Sequence, residues 1–105
     1  MRKFLFISFI FIYSVANEYV GVWQDPKGMG LVLKSNGKCL ITEDNEVIVS
    51  EKDCKWDKNN KFLTYKYSNR EGVFYFKLEN NELILEEDKR SLTREKADAI
   101  MHKIK

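Results

Sequence analysis

Few residues of this chain have the types and spacing that catalysis needs. The one histidine, His102, lies near the C-terminus. The serines fall in predicted turns or in the first 16 residues, and none has the strained strand-to-helix turn and neighbouring general base that a nucleophilic serine needs for acyl transfer. The acidic runs 43–44 and 86–88 lie at turns and strand ends, where charged side chains are ordinarily solvated. Residues 57–60 offer too few oxygen ligands for calcium. We therefore expect no catalytic residue, no metal, no cofactor and no enzymatic activity.

The first 16 residues have the pattern of a secretory signal peptide. Arg2 and Lys3 precede an apolar region of ten residues, 4–13, and the small residues Ser14 and Ala16 stand where a signal peptidase requires them. A transmembrane anchor would need about 20 apolar residues. We expect cleavage before Asn17, which leaves 89 of the 105 residues as one domain in the periplasm or outside the cell.

The charge of the mature chain excludes some partners. The leader holds two of the 18 basic residues and none of the 16 acidic ones, so the mature chain is formally neutral. Nucleic-acid binding and docking on anionic lipid both need clustered Lys and Arg. The composition therefore predicts neither a nucleic-acid partner nor a membrane surface after signal cleavage.

The only two cysteines, Cys39 and Cys54, predict a disulfide. An even pair in an exported chain is typical of a structural disulfide. A metal or redox pair is the alternative, but the spacing is not C-x-x-C and His102 is far away in the sequence. We expect the disulfide to stabilise the domain by about 3 kcal/mol.

Short alternating segments separated by polar turns predict an all-β fold. The predicted strands cover residues 17–24, 30–35, 38–42, 46–50, 61–67, 73–78 and 83–86, and a further segment begins at 54–56. Asn36-Gly37 is a strong hairpin signal. The regular spacing indicates a small antiparallel up-and-down meander or barrel of about 6–8 strands.

The C-terminal segment has a different pattern. Thr93, Ala97, Ile100, Met101 and Ile104 would share one face of a helix, and the charges suit its dipole. The sequence predicts a helix over about 92–103 that packs on the barrel wall or across an open end. A helix that binds a partner is the alternative.

Aromatic side chains on both faces of two predicted strands are the strongest functional signal. A one-sided sheet would carry polar residues on its outer face. Candidate ligand contacts are Tyr65, Tyr67, Tyr75 and Phe76. The alternatives are a partner surface, cover from the C-terminal helix, or tyrosines that are simply exposed.

The segment Gly21-Val22-Trp23 resembles the G-x-W signature of lipocalin-like barrels. In that family the Trp closes the bottom of the barrel and an Arg after the last strand packs across it. The resemblance implies a structural role for Trp23, with Arg90 (or Arg94) as its cover. The strand meander and predicted helix also fit the layout. The chain is similar to reduced lipocalin-like domains exported by bacteria.

Two functions follow as expectations. The first is a non-enzymatic binding protein that holds a small apolar ligand in an open barrel end. The second is a protein-binding inhibitor or immunity protein that acts on an exported enzyme through an exposed loop. Asn69, Arg70 and Glu71 are the candidate loop residues. A rigid, disulfide-linked domain suits such binding because it loses little entropy on association. We expect a monomer.

Overall fold

The computed structural model describes residues 18–88, 90 and 92–105, and these form one antiparallel sheet of nine strands. The expected leader, residues 1–16, lies outside the described residues. The strands are β1 (Gly21–Gln24), β2 (Met29–Leu33), β3 (Cys39–Glu43), β4 (Glu46–Val49), β5 (Cys54–Asp57), β6 (Phe62–Tyr67), β7 (Arg70–Glu79), β8 (Glu82–Glu86) and β9 (Ala99–Lys103). A 3₁₀ turn, Glu51–Asp53, connects β4 to β5. Among the described residues, no helix is long and apolar enough to cross a membrane.

The sheet closes on itself as a nearly complete up-and-down barrel. Its order is β4-β3-β2-β1-β9-β8-β7-β6-β5, so β9 closes the meander against β1 and the seam falls between β4 and β5. The Cys39–Cys54 disulfide crosses this seam with 5.0 Å between Cα atoms. Beside it Lys38 pairs with Lys55, and Trp56 N donates to Gly37 O at 2.9 Å. The barrel and the disulfide are therefore confirmed.

Tight turns set the register of the hairpins. Asp44-Asn45, Ser68-Asn69 and Asn80-Asn81 all have positive φ at both residues, between 50° and 69°, as two-residue type I′ turns require. The Asn36-Gly37 hairpin differs because its loop has three residues. Gly37 takes the left-handed conformation with φ 86°, and Lys34 N donates to Lys38 O at 2.9 Å.

The barrel is filled by its own side chains. The fully buried core includes Trp23, Leu31, Leu33, Leu63, Phe76, Leu83 and Met101. These residues alternate with half-buried or exposed ones along most strands, which is the pattern that a one-sided sheet produces. Phe76 contacts Tyr19 and Trp56, with ring centroids 5.5 and 6.3 Å apart.

The predicted C-terminal helix is wrong. Residues 99–103 form β9 instead, between β1 and β8, and Ala99 and Met101 face the core. Taken alone, the sequence of this segment fits an amphipathic helix. As a strand, however, it forms backbone hydrogen bonds with both β1 and β8. Those tertiary hydrogen bonds outweigh a weak helical preference. The predicted count of 6–8 strands is too low for the same reason.

Candidate functional site

The β6–β7 hairpin extends beyond the strands on either side of it. The last residue of β6 that pairs with β5 is Tyr65, opposite Cys54. On the other side, β7 pairs with β8 only from Tyr75 to Glu79. Residues 66–74, which we name the hairpin tip, therefore pair only within the hairpin. Residues 66–71 of the tip project beyond both neighbouring strands, whereas residues 72–74 lie beside the part of β6 that pairs with β5.

The two faces of this hairpin differ in chemistry. Leu63 is fully buried, and the face it occupies continues through Tyr65 and Tyr67 and back along β7 through Arg70 and Gly72. We name this the inner face because it continues the barrel interior. The opposite, outer face of the tip carries Lys66, Glu71 and Val73, and Thr64 precedes them on β6.

Tyr65 is held in place by its neighbours on β7. Its ring stacks on Phe74, with centroids 5.4 Å apart and planes inclined by 15°. The ring also covers Gly72, where an added Cβ would lie 2.4 Å from Tyr65 Cζ. Any larger residue at position 72 would displace the ring. The glycine is thus required by close contact with Tyr65.

A concave region of about 440 Å³ lies against the inner face. We name it the inner groove, and its lining includes Tyr65, Tyr67, Arg70, Gly72 and Glu87. A second, more open concavity of about 610 Å³ lies on the outer side of the hairpin, beside Lys52, Lys55 and Lys66. The hairpin tip thus separates two surface grooves.

Two carboxylates give the barrel end of the inner groove a negative field. Burial raises the pKa of Tyr65, and the charges of Glu87 and Asp98 raise it further. Glu87 N donates to Asp98 Oδ2 at 3.1 Å, and Asp98 N donates to Leu85 O at 2.8 Å. These bonds hold the two acidic residues where β8 ends.

The structure gathers some of the predicted ligand contacts and separates others. Tyr65 and Tyr67 line the inner groove. Tyr75 lies on the opposite face of β7, 6.2 Å from the Phe62 ring. Phe76 is fully buried in the core.

The predicted loop residues all lie at the hairpin tip. Asn69 is in the turn itself, and Arg70 and Glu71 begin β7; all three are exposed. Sequence reasoning missed Glu87 and the contact of Gly72 with Tyr65. The β6–β7 register places Gly72 against the Tyr65 ring, and the tertiary structure brings Glu87 to the same groove from an acidic run that would ordinarily be solvated.

The barrel interior leaves little room for a ligand. An internal space that borders Met29, Leu31, Phe74 and Met101 has a volume of about 10 Å³. Such a space holds at most one water molecule. A ligand in the barrel would require the core side chains to move apart.

Trp23 has the structural position that the sequence indicates, but Lys103 lies over it. The indole is 1% exposed, and its Nε1 donates to Tyr19 O at 3.0 Å. Lys103 Nζ lies 5.8 Å from the ring centroid. The Arg90 side chain is 91% exposed and pairs with Asp88, away from Trp23. The covering cation therefore comes from β9.

The lone histidine lies beside the Arg94–Glu82 ion pair. His102 Nε2 lies 3.2 Å from one oxygen of Glu82, and Arg94 donates to the other oxygen. These contacts join the segment after β8 to β8 and β9. Within the described part of the chain, no three or more His, Cys, Asp and Glu side chains cluster as metal ligands would.

Comparison with protein-family models, curated proteins and solved structures gave no match for this chain. The lipocalin-like relationship therefore stays a prediction based on Gly21-Val22-Trp23 and the barrel layout.

Proposed function

We propose that this chain is an exported, non-enzymatic protein-binding module of the inhibitor or immunity-protein type. It presents the hairpin tip and inner groove to a partner protein. The observation that carries the proposal is the projection of residues 66–71 beyond both neighbouring strands. A ribbon that projects from a nearly complete barrel is accessible to a partner from both of its faces.

The residues at the tip are of the kinds that contribute most to protein interfaces. Tyr67 is 48% exposed, and Arg70 beside it is also exposed. Tyr and Arg are enriched among the residues whose truncation weakens complexes most. The type I′ turn and the Tyr65–Phe74 stack order this ribbon before binding, so association costs less conformational entropy.

Affinity capture from periplasmic or culture fractions tests this function. We expect the mature chain to retain a specific protein, and Tyr67→Ala or Arg70→Ala to weaken the complex at least about tenfold, as expected for anchor residues. Lys27→Ala, on the exposed β1–β2 turn, is the control and should leave capture unchanged. Equal capture by all four proteins would contradict the proposal.

A small apolar ligand is the second candidate, and the placement of Tyr65 and Tyr67 favours the inner groove as its site. Titration with fatty acids, followed through the amide NMR signals of Tyr65 and Tyr67, tests a ligand in this groove. A saturable change there, together with capture that Tyr67→Ala does not affect, would favour the ligand over the protein partner.

A further inference from the structure

The edge of β7 that faces away from β6 is open at the hairpin tip. In a hairpin with a two-residue turn, the flanking residues Tyr67 and Arg70 form a hydrogen-bonded pair. Alternation along β7 then directs the N–H and C=O groups of Glu71 and Val73 away from β6. At Tyr75 the same edge meets Glu86 of β8. Beyond that point, no described strand pairs with it.

Backbone contacts from loops do not close this edge either. The hydrogen bonds that the described residues form outside the strands include none at Glu71 or Val73. Natural proteins shield such edges with bulges, proline or several charged side chains, because an open edge pairs readily with another strand. Here Glu71 is the single charged residue among Glu71, Gly72 and Val73. The edge is thus suited to accept a strand.

The inner groove beside this edge is suited to a cationic side chain. A strand added along Glu71–Val73 would direct alternate side chains towards the inner face, next to the Tyr65 ring. Glu87 lines the same groove, and Asp98 is held against it. An aromatic ring and a carboxylate together favour Lys or Arg. Arg70 lies at the turn end of the groove, beside Tyr67.

We propose that β7 binds an extended segment of a partner protein as an added strand along Glu71–Val73, with a Lys or Arg side chain in the inner groove against Tyr65 and Glu87. This inference rests on the proposed protein-binding function and specifies how the partner is recognised. Main-chain hydrogen bonds supply affinity in this mode, and the groove supplies specificity.

Two synthetic peptides test the proposal directly. Both have seven residues of alternating Thr and Val with blocked ends, and they differ only in a central Lys or a central Glu. In NMR titrations of the mature chain, we expect saturating Lys peptide to slow amide exchange of Glu71 and Val73 at least tenfold. The Glu peptide should bind at least tenfold more weakly. No change in exchange at these two amides would overturn the proposal.

Matched proline variants locate the edge. Val73→Pro removes an N–H that points away from β6, so the hairpin keeps its own hydrogen bonds. Lys66→Pro makes the same change on the opposite edge, since Lys66 and Glu71 form the equivalent non-hydrogen-bonded pair. We expect Val73→Pro to weaken Lys-peptide binding at least tenfold and Lys66→Pro to leave it within twofold. The reverse order would overturn the proposal. If either proline variant fails to fold, the amide-exchange measurement on the unaltered chain still tests the proposal.

Other outcomes separate this inference from the proposed function. Suppose that Tyr67→Ala abolishes capture of a protein partner and that Val73→Pro does not affect it. This result would refute strand addition but leave the proposed protein-binding function of the hairpin intact. In the absence of peptide, the amides of Glu71 and Val73 could become more protected from exchange as the protein concentration increases. That result would instead assign the edge to a second copy of this chain. Binding that Glu87→Gln does not weaken would refute the role of the groove.

Discussion

At the scale of single residues, the fully buried aromatic rings belong to the fold, and two of the more exposed ones, Tyr65 and Tyr67, line the candidate site. Trp23 and Phe76 are almost fully buried, and each contacts side chains that hold the barrel together. Tyr65, the last residue of β6 that pairs with β5, and Tyr67 beyond it lie on the inner face at the end of the barrel, where the groove begins. The position along the strand decides which role an aromatic residue takes.

A polar residue also has a defined structural role in the β5–β6 turn. One oxygen of Asp57 accepts hydrogen bonds from Asn59 N at 2.8 Å and Asn60 N at 3.1 Å, and the other accepts from Asn60 Nδ2 at 3.0 Å. These bonds hold the pKa of Asp57 below its ordinary value of 3.8. The stabilisation is therefore complete above about pH 3.8 and is lost as the pH falls through the folded pKa.

We predict that Asp57→Asn will reduce the loss of stability in acid. The amide keeps an oxygen acceptor for the turn but does not titrate, so urea unfolding at pH 7 and at pH 3 should differ less than in the unaltered chain. Asp53→Asn, in the exposed 3₁₀ turn, is the control. A variant whose acid sensitivity equals that of the unaltered chain would refute the assigned role of Asp57.

At the scale of elements, the hairpins follow from local chemistry, but β9 does not. Asp44-Asn45, Ser68-Asn69 and Asn80-Asn81 adopt positive φ, and strands follow them in the expected register. The segment before β9 contains no such turn signal. Its residues 99–103 become a strand because β1 and β8 each present an edge to them. An element of this kind is specified by its neighbours.

Two alanines distinguish the strand from a helix in solution. Ala99 is buried in β9, whereas Ala97, which a helix would place on its apolar face, is only half-buried. We predict that Ala99→Glu destabilises the chain by about 3 kcal/mol or more, since it buries an unpaired charge. Ala97→Glu should cost less than about 1 kcal/mol. Urea denaturation measures both, and a larger cost at position 97 would favour the helix.

At the scale of the whole molecule, the disulfide joins the barrel at the seam, where β4 and β5 do not pair and a single bridge, Lys38 with Lys55, links the two sides. β4 and β5 are the two ends of the sheet order, and Cys39–Cys54 connects β3 to β5 across that seam. The disulfide is consistent with a periplasmic or extracellular location. Because the seam has few backbone hydrogen bonds, the covalent link carries more of its stability.

We predict that Cys39→Ser and Cys54→Ser each lower the midpoint of thermal unfolding by many degrees. The pair closes a loop with a sequence separation of 15, for which the chain-entropy model gives about 3 kcal/mol. Scanning calorimetry of the mature chain with and without reductant measures the effect. The double serine variant should be insensitive to reductant, and an unchanged melt of the unaltered chain on reduction would contradict the stabilising role of the disulfide.

The sequence by itself determined what local patterns encode: β1 to β8 within a few residues, the turns, the disulfide and the burial of Trp23. Alternating side chains and Asn-rich turns act within a few residues, so they can be recognised from a short stretch of sequence. Only the tertiary structure decided that residues 99–103 form a strand, that the seam lies at Cys39–Cys54 and that Lys103 lies over Trp23. Each of these depends on contacts between segments that are distant in the sequence.

The candidate site divides in the same way. The exposure of Asn69, Arg70 and Glu71 could be predicted, because a polar turn between two apolar strands lies at the surface. The meeting of Tyr65 with Glu87, and the open edge of β7, could not. They depend on where β5 and β8 stop pairing, which is fixed by contacts between segments distant in the sequence.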